Sequence, residues 1–145
     1  MVDGELKIYC DGGARGNPGP AASAFLVIDN GKILREDSKY IGKATNNVAE
    51  YTAVLMAIKW LEKNKIYNKE FLFFLDSKLI ANQLSGNYKV KNVILIKFHR
   101  EIKDIENVFN FNISYNFIPR EDNAKADALV NSKLSTKFTL SRTRR

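Results

Sequence analysis

The chain has one cysteine, Cys10, so it can form neither an intrachain disulfide nor a cysteine metal cluster of its own. It also lacks any stretch of about 18 apolar residues that could span a bilayer. Met1 to Gly4 lacks the basic and apolar regions of a secretory signal. A soluble, cytoplasmic protein with no membrane partner is therefore expected. There are only three prolines, and neither a low-complexity segment nor an internal repeat marks a linker. What is present suits one domain: 145 residues, 45% hydrophobic and 27% charged, enough to bury a core. The net charge of +7 points to a polyanionic partner. Most of that excess sits at the C-terminus, where Lys133, Lys137, Arg142, Arg144 and Arg145 have no acidic neighbour. The expected division is a domain over 1–134 and a basic tail over 135–145, the tail being either a solvated end or a phosphate-binding arm.

Leu6, Ile8 and Cys10 alternate with Glu5, Lys7 and Tyr9, which predicts a strand ending at Asp11. The glycines and prolines between Gly12 and Pro20 predict an irregular loop. Two further strands, 22–28 and 32–41, flank an Asp29-Asn30-Gly31 turn and complete an antiparallel meander. From Asn46 to Asn64 the period becomes helical, with Val48, Tyr51, Val54, Leu55, Ile58 and Leu61 on one stripe and Thr45 as N-cap. Phe71 to Leu75 is an apolar run that predicts a strand buried on both faces and stopping at Asp76. Ser77 caps a short helix ending near Gly86, and Leu95, Phe98, Ile102, Ile105 and Phe109 predict a long amphipathic helix over 92–108. A strand over 111–118 ends at Pro119, and Asn123 opens a last helix carrying Asp127. The order describes an α/β domain with a mixed sheet.

Asp11 and Asp76 end predicted central strands, while Glu50 and Asp127 lie near predicted helix starts. Open α/β sheets place their sites in the crevice at strand ends, so the four could converge there. Gathered carboxylates repel unless compensated, and divalent cations supply compensation. Oxygen ligands without histidine or cysteine favour hard ions, Mg²⁺ first and Mn²⁺ second. Each residue alone also has a plain reading: Asp11 starting a turn, Glu50 favouring a helix dipole, Asp76 preceding a cap, Asp127 solvated on a helix.

The combination carries more than its parts. Tyr9-Cys10-Asp11-Gly12-Gly13-Ala14-Arg15-Gly16-Asn17-Pro18-Gly19-Pro20-Ala21 resembles the opening motif of the type 1 ribonuclease H family. Thr45 to Tyr51 resembles its second motif, Asp76-Ser77 its third, and Arg120 to Leu129 its last, in the family's order. The resemblance covers roughly Glu5 to Lys133. It implies a ribonuclease H-like fold: a five-stranded mixed sheet, three antiparallel strands followed by two parallel ones, with helices on both faces. It also implies an endonuclease that hydrolyses the RNA strand of an RNA/DNA hybrid by a two-metal-ion mechanism, leaving 5′-phosphate and 3′-hydroxyl ends. By the same resemblance Asp11 bridges two Mg²⁺ ions, for which Mn²⁺ can substitute, Asp127 helps hold the ion on the attacking-water side, and Glu50 with Asp76 hold the ion on the leaving-group side. Gly12, Asn17 and Asn46 are implied contacts to the RNA strand, and Thr45 and Asn47 to a DNA phosphate. The plain alternatives are a turn for the loop and capping for Asn46 and Asn47. No protein partner is implied and a monomer is expected.

The chain departs from the family pattern in places. Many members carry a loop histidine shortly before the last aspartate; here Phe117, Ile118 and Pro119 fill that stretch, as in the family's histidine-lacking branch. The only histidine, His99, falls roughly opposite the apolar stripe of the long helix and reads as a surface residue. Lys78 stands where relatives often have glutamine, and the stretch from Gly86 to Asn92 leaves no room for the basic handle of some members. Lys89, Lys91, Lys97, Arg100 and Lys103 nearby form either a solvated face or a weak phosphate-contacting one. Cys10 reads as buried packing, and Trp60, Phe73 and Phe74 as core. Two other readings stand beside the nuclease: a silent module that binds hybrid or double-stranded RNA, and an integrase- or resolvase-like enzyme of the same superfold.

Overall fold

The computed structural model describes residues 4–109 and 112–143. Three strands come first: β1 (Glu5–Ala14), β2 (Gly19–Asp29) and β3 (Lys32–Ala44). Helix α1 (Asn46–Lys63), strand β4 (Glu70–Leu75), helices α2 (Lys78–Leu84) and α3 (Val93–Phe109), and strand β5 (Ile113–Phe117) follow. A 3-10 turn, Arg120–Asn123, then leads into helix α4 (Ala124–Thr143). The sheet order is β3-β2-β1-β4-β5, with β1, β2 and β3 antiparallel and β1, β4 and β5 parallel, so the expected mixed sheet is present.

The hairpin between β2 and β3 turns on Asn30 and Gly31, both at positive φ (48° and 80°), the backbone twist that a two-residue hairpin turn requires. Helix α1 starts where its cap predicts. Thr45 is extended, and its hydroxyl accepts from the Val48 amide at 3.2 Å. Beyond the expected stripe, Ala49, Ala53 and Ala57 are also buried, because α1 packs among the sheet, α2 and α3. That side holds the larger core, including Leu6, Ile8, Cys10, Phe25, Phe71, Phe73 and Leu75. On the other face Val130 and Leu134 of α4 cover Ala22 and Ala24 of β2.

Several expectations need correction. Gly12, Gly13 and Ala14 are strand, paired with Ser23, Ala22 and Ala21, and Gly19 and Pro20 already belong to β2; the irregular loop is Arg15–Pro18 alone. Glycine reads as a breaker in isolation, but here an antiparallel partner supplies the ladder. Strand β4 is sealed on one face only. Phe71, Phe73 and Leu75 are buried, whereas Leu72 and Phe74 are half-buried because α4 packs over β1, β2 and β3, leaving Phe74 to stack on Tyr9 at 4.9 Å. Asn123 closes the 3-10 turn rather than opening α4. Residues 110 and 111, where the fifth strand was expected to begin, lie outside the described residues, as do Arg144 and Arg145 and the side chain of Arg142. Helix α4 runs on to Thr143, and Lys137 within it lies over the Tyr40 ring, 5.0 Å from its centre. Lys103 is not part of a free basic face: its ammonium bonds the Leu84 carbonyl and Glu106.

Candidate active site

Asp11 and Asp76 become neighbours because β1 and β4 run parallel in a register that sets Cys10 against Leu75, so each aspartate follows on the same sheet end. Glu50 arrives from α1, whose start is pinned to the sheet. The Ser23 hydroxyl donates to the Ala49 carbonyl at 2.6 Å, and the Ala14 amide donates to Asn46 Oδ1 at 2.9 Å. Gly12 permits the approach, since a Cβ there would stand 2.2 Å from the Ala49 carbonyl carbon. One carboxylate oxygen from each of Asp11, Glu50 and Asp76 lies within 4.8 Å of the others. Asp127, in the first turn of α4, lies outside that trio but lines the same cleft of about 510 Å³, close enough for its charge to act on Asp11.

The electrostatics follow from crowding. Burial, then the charges of Asp76 and Asp127, push the Asp11 carboxyl up to about 8 against the opposing effect of the Gly12 amide. Burial, then Asp11 and Asp76, push Glu50 up to about 9, partly offset by Arg120. Glu50 Oε2 is sealed from solvent and has no hydrogen-bond partner among the described residues. An all-oxygen donor set, close carboxylates and an orphaned buried oxygen fit a hard divalent cation. Burial also raises Cys10 well above its ordinary range, so its thiol stays neutral and inert as packing.

These shifts fix the sign of a pH dependence. Both folded values exceed the unfolded ones, so in the metal-free protein the folded state binds more protons, and stability is lost as pH rises through about 8 and 9. The unfolding midpoint in EDTA is expected to fall between pH 5 and pH 9, and added Mg²⁺ to stabilise more at the upper end, where the ligands give up their protons readily. A midpoint that rises across this window would contradict the assignment.

The other predicted residues are placed as follows. Gly12 is buried and lines the cleft. Asn17 Oδ1 accepts from the Asn46 backbone N–H at 3.0 Å, so the side-chain oxygens of Asn17 and Asn46 tie the end of β1 and the loop after it to α1, and their side-chain N–H groups are what they can offer a ligand. Thr45 caps α1, and Asn47 is half-buried in its first turn. Arg120 and Asn131 also line the cleft, and Asn131 donates to Asp127 at 3.2 Å. Arg120 was visible only as a member of the last motif; its effect on Glu50 depends on the 3-10 turn.

His99 is half-buried rather than exposed: its Nε2 lies 3.2 Å from the Gln83 carbonyl, and Gln83 accepts from the Tyr51 hydroxyl at 2.6 Å. This is a packing contact between α3 and α2. Replacing His99 with Ala is expected to cost about 1 kcal/mol of stability and to leave kcat within about twofold; a large fall in kcat at unchanged fold would give the residue a catalytic part.

A sequence profile of the family described as "Reverse transcriptase-like" matches residues 9–133. The chain is 38% identical over 132 residues to a "Bifunctional protein" of Mycobacterium tuberculosis, covering 90% of this chain and 35% of that protein. It is 34% identical over 132 residues to "Ribonuclease HI" of Halobacterium salinarum, covering 90% of this chain and 65% of that protein. The chain thus spans about a third of the mycobacterial relative. Among solved structures, LC11-RNase H1 in complex with RNA/DNA hybrid superposes with a TM-score of 0.88 at 42% identity, covering 92% of this chain and 99% of that one.

Proposed function

Because the chain belongs to the reverse transcriptase-like family of ribonuclease H domains, we propose that it is an endonuclease hydrolysing the RNA strand of RNA/DNA hybrids to 5′-phosphate and 3′-hydroxyl ends. The observation that carries the reading is the meeting of Asp11, Glu50 and Asp76 within 4.8 Å in an open cleft beside Asp127. The relative solved with RNA/DNA hybrid supports the substrate class. A module that only bound a polyanion would gain nothing by burying Glu50 among other carboxylates.

Asp11, Glu50, Asp76 and Asp127 would hold Mg²⁺, with Asp11 central to the set and Mn²⁺ able to substitute. The ions, when bound, supply an activated water and neutralise charge developing on the phosphoryl oxygens. The chain's residues do the rest. The amide N–H groups of Asn17 and Asn46 and the backbone near Gly12 meet the RNA strand, where the 2′-hydroxyl distinguishes RNA from DNA. Thr45 and Asn47, at the N-terminus of α1, meet a DNA phosphate, helped by the helix dipole. The domain acts as a monomer in the cytoplasm, with residues 1–134 forming the catalytic unit and 135–145 a basic extension.

The test is a gel assay with end-labelled RNA/DNA hybrid, double-stranded RNA and DNA duplex, each with Mg²⁺, Mn²⁺ or EDTA. Metal-dependent internal cuts in the RNA of the hybrid, and none in the DNA, are expected. Intact hybrid in both metals would refute the reading.

A further inference from the structure

Asn123 carries none of the chemistry assigned so far, yet it is 1% exposed and lies behind the carboxylates. Its Nδ2 donates to two acceptors, the Cys10 carbonyl at 2.9 Å and Asp76 Oδ2 at 3.0 Å. The amide orientation follows from those partners: turned over, Asn123 would set its own oxygen against a carbonyl and a carboxylate. Its Oδ1 has no hydrogen-bond partner among the described residues, so the side chain keeps this pose at the cost of an unsatisfied buried acceptor. Cys10 immediately precedes Asp11, and Asn123 lies four residues before Asp127. One amide therefore ties together the three segments that bring Asp11, Asp76 and Asp127 to the cleft.

We propose that Asn123 is a positioning residue: its two N–H groups fix the Asp76 carboxylate against the backbone of β1, setting the spacing of the cation ligands. This rests on the reading of Asp76 as a ligand. The reach is specific. Alanine and serine are too short to reach both acceptors, and leucine keeps the volume but has no donor. Asp76 points one oxygen at Asn123, which leaves the other for a cation. Without the amide, Asp76 is freed to rotate, and both the Cys10 carbonyl and Asp76 Oδ2 lose a partner. Outer-shell partners of metal-binding carboxylates set affinity through this kind of restraint, and their loss typically weakens binding by about ten- to a hundredfold.

The experiment is calorimetric titration of Mn²⁺ alone into the full chain, comparing wild type with Asn123→Leu and Asn123→Ser, alongside unfolding midpoints in EDTA and kcat and KM for hybrid. Both variants are expected to bind Mn²⁺ about ten- to a hundredfold more weakly, to lose kcat unless Mn²⁺ is raised, and to keep KM for hybrid. In an Asp76→Asn background the Asn123→Leu change should cost little further Mn²⁺ affinity. If Asn123→Leu does not fold, Asn123→Ser decides, since it keeps a polar group in a smaller volume. Mn²⁺ affinity within twofold of wild type, whatever the unfolding midpoint does, would make Asn123 mere packing and overturn the proposal. Failure of the wild type itself to bind Mn²⁺ would instead sink the underlying metal site.

Discussion

Replacing Asp11 with Asn is expected to cut Mg²⁺-dependent cleavage of hybrid by about a thousandfold or more while making the metal-free protein more resistant to heat at alkaline pH. The first effect follows from position. Asp11 stands beside Glu50 and Asp76 and feels the charge of Asp127, so a cation held between these carboxylates would draw on it. Losing several kcal/mol of charge stabilisation at about 1.4 kcal/mol per factor of ten gives that magnitude. The second effect comes from the same crowding. Above pH 8 the buried Asp11 carboxyl ionises against Asp76 and Asp127, and a neutral amide of the same shape removes that repulsion. Loss of activity with a gain in unfolding midpoint at pH 9 in EDTA is the signature of a functional charge cluster. Cleavage within tenfold of wild type would remove Asp11 from the metal site.

Substituting Gly12 with Ala is expected to damage both the fold and the site. The added Cβ would meet the Ala49 carbonyl carbon at 2.2 Å, its oxygen at 2.3 Å and the Glu50 amide nitrogen at 2.5 Å. These are backbone atoms of a helix held to β2 by Ser23, so no flexible side chain can give way. Overpacking of this kind costs about 1–3 kcal/mol or more, which lowers the unfolding midpoint by several degrees. Relief requires α1 to lift from β1, and Glu50 moves with it. A displacement of about 1 Å at a catalytic group costs about a hundredfold in rate. Unfolding midpoints and kcat for the variant check both parts. A variant with wild-type midpoint and rate would show that β1 and α1 are not in the contact described.

The two predictions mark where sequence reading succeeds and where it stops. Thr45, Asn30 and Gly31 act on their immediate neighbours, so their cap and turn are legible from residue type and spacing. The ends of β1 and β4 were legible as abrupt stops in apolar pattern at Asp11 and Asp76, and parallel pairing brings those stops side by side. In the sequence Gly12 reads as loop because glycine signals a break locally, whereas the demand for glycine comes from Ala49, thirty-seven positions along the chain. Asn123 was legible only as a polar residue at a helix start. Its burial and its bond to Asp76 arise when the 3-10 turn folds behind β1 and β4. His99 shows the same limit: helical phase places it off the apolar stripe, but its ring meets the Gln83 carbonyl of α2.

The most direct test of the central claim is anomalous scattering from crystals of the chain grown or soaked in Mn²⁺. The account predicts metal density between the carboxylates of Asp11, Glu50 and Asp76, with Asp127 adjoining. A cleft without metal at Mn²⁺ concentrations that support cleavage, or metal bound only elsewhere, would contradict it.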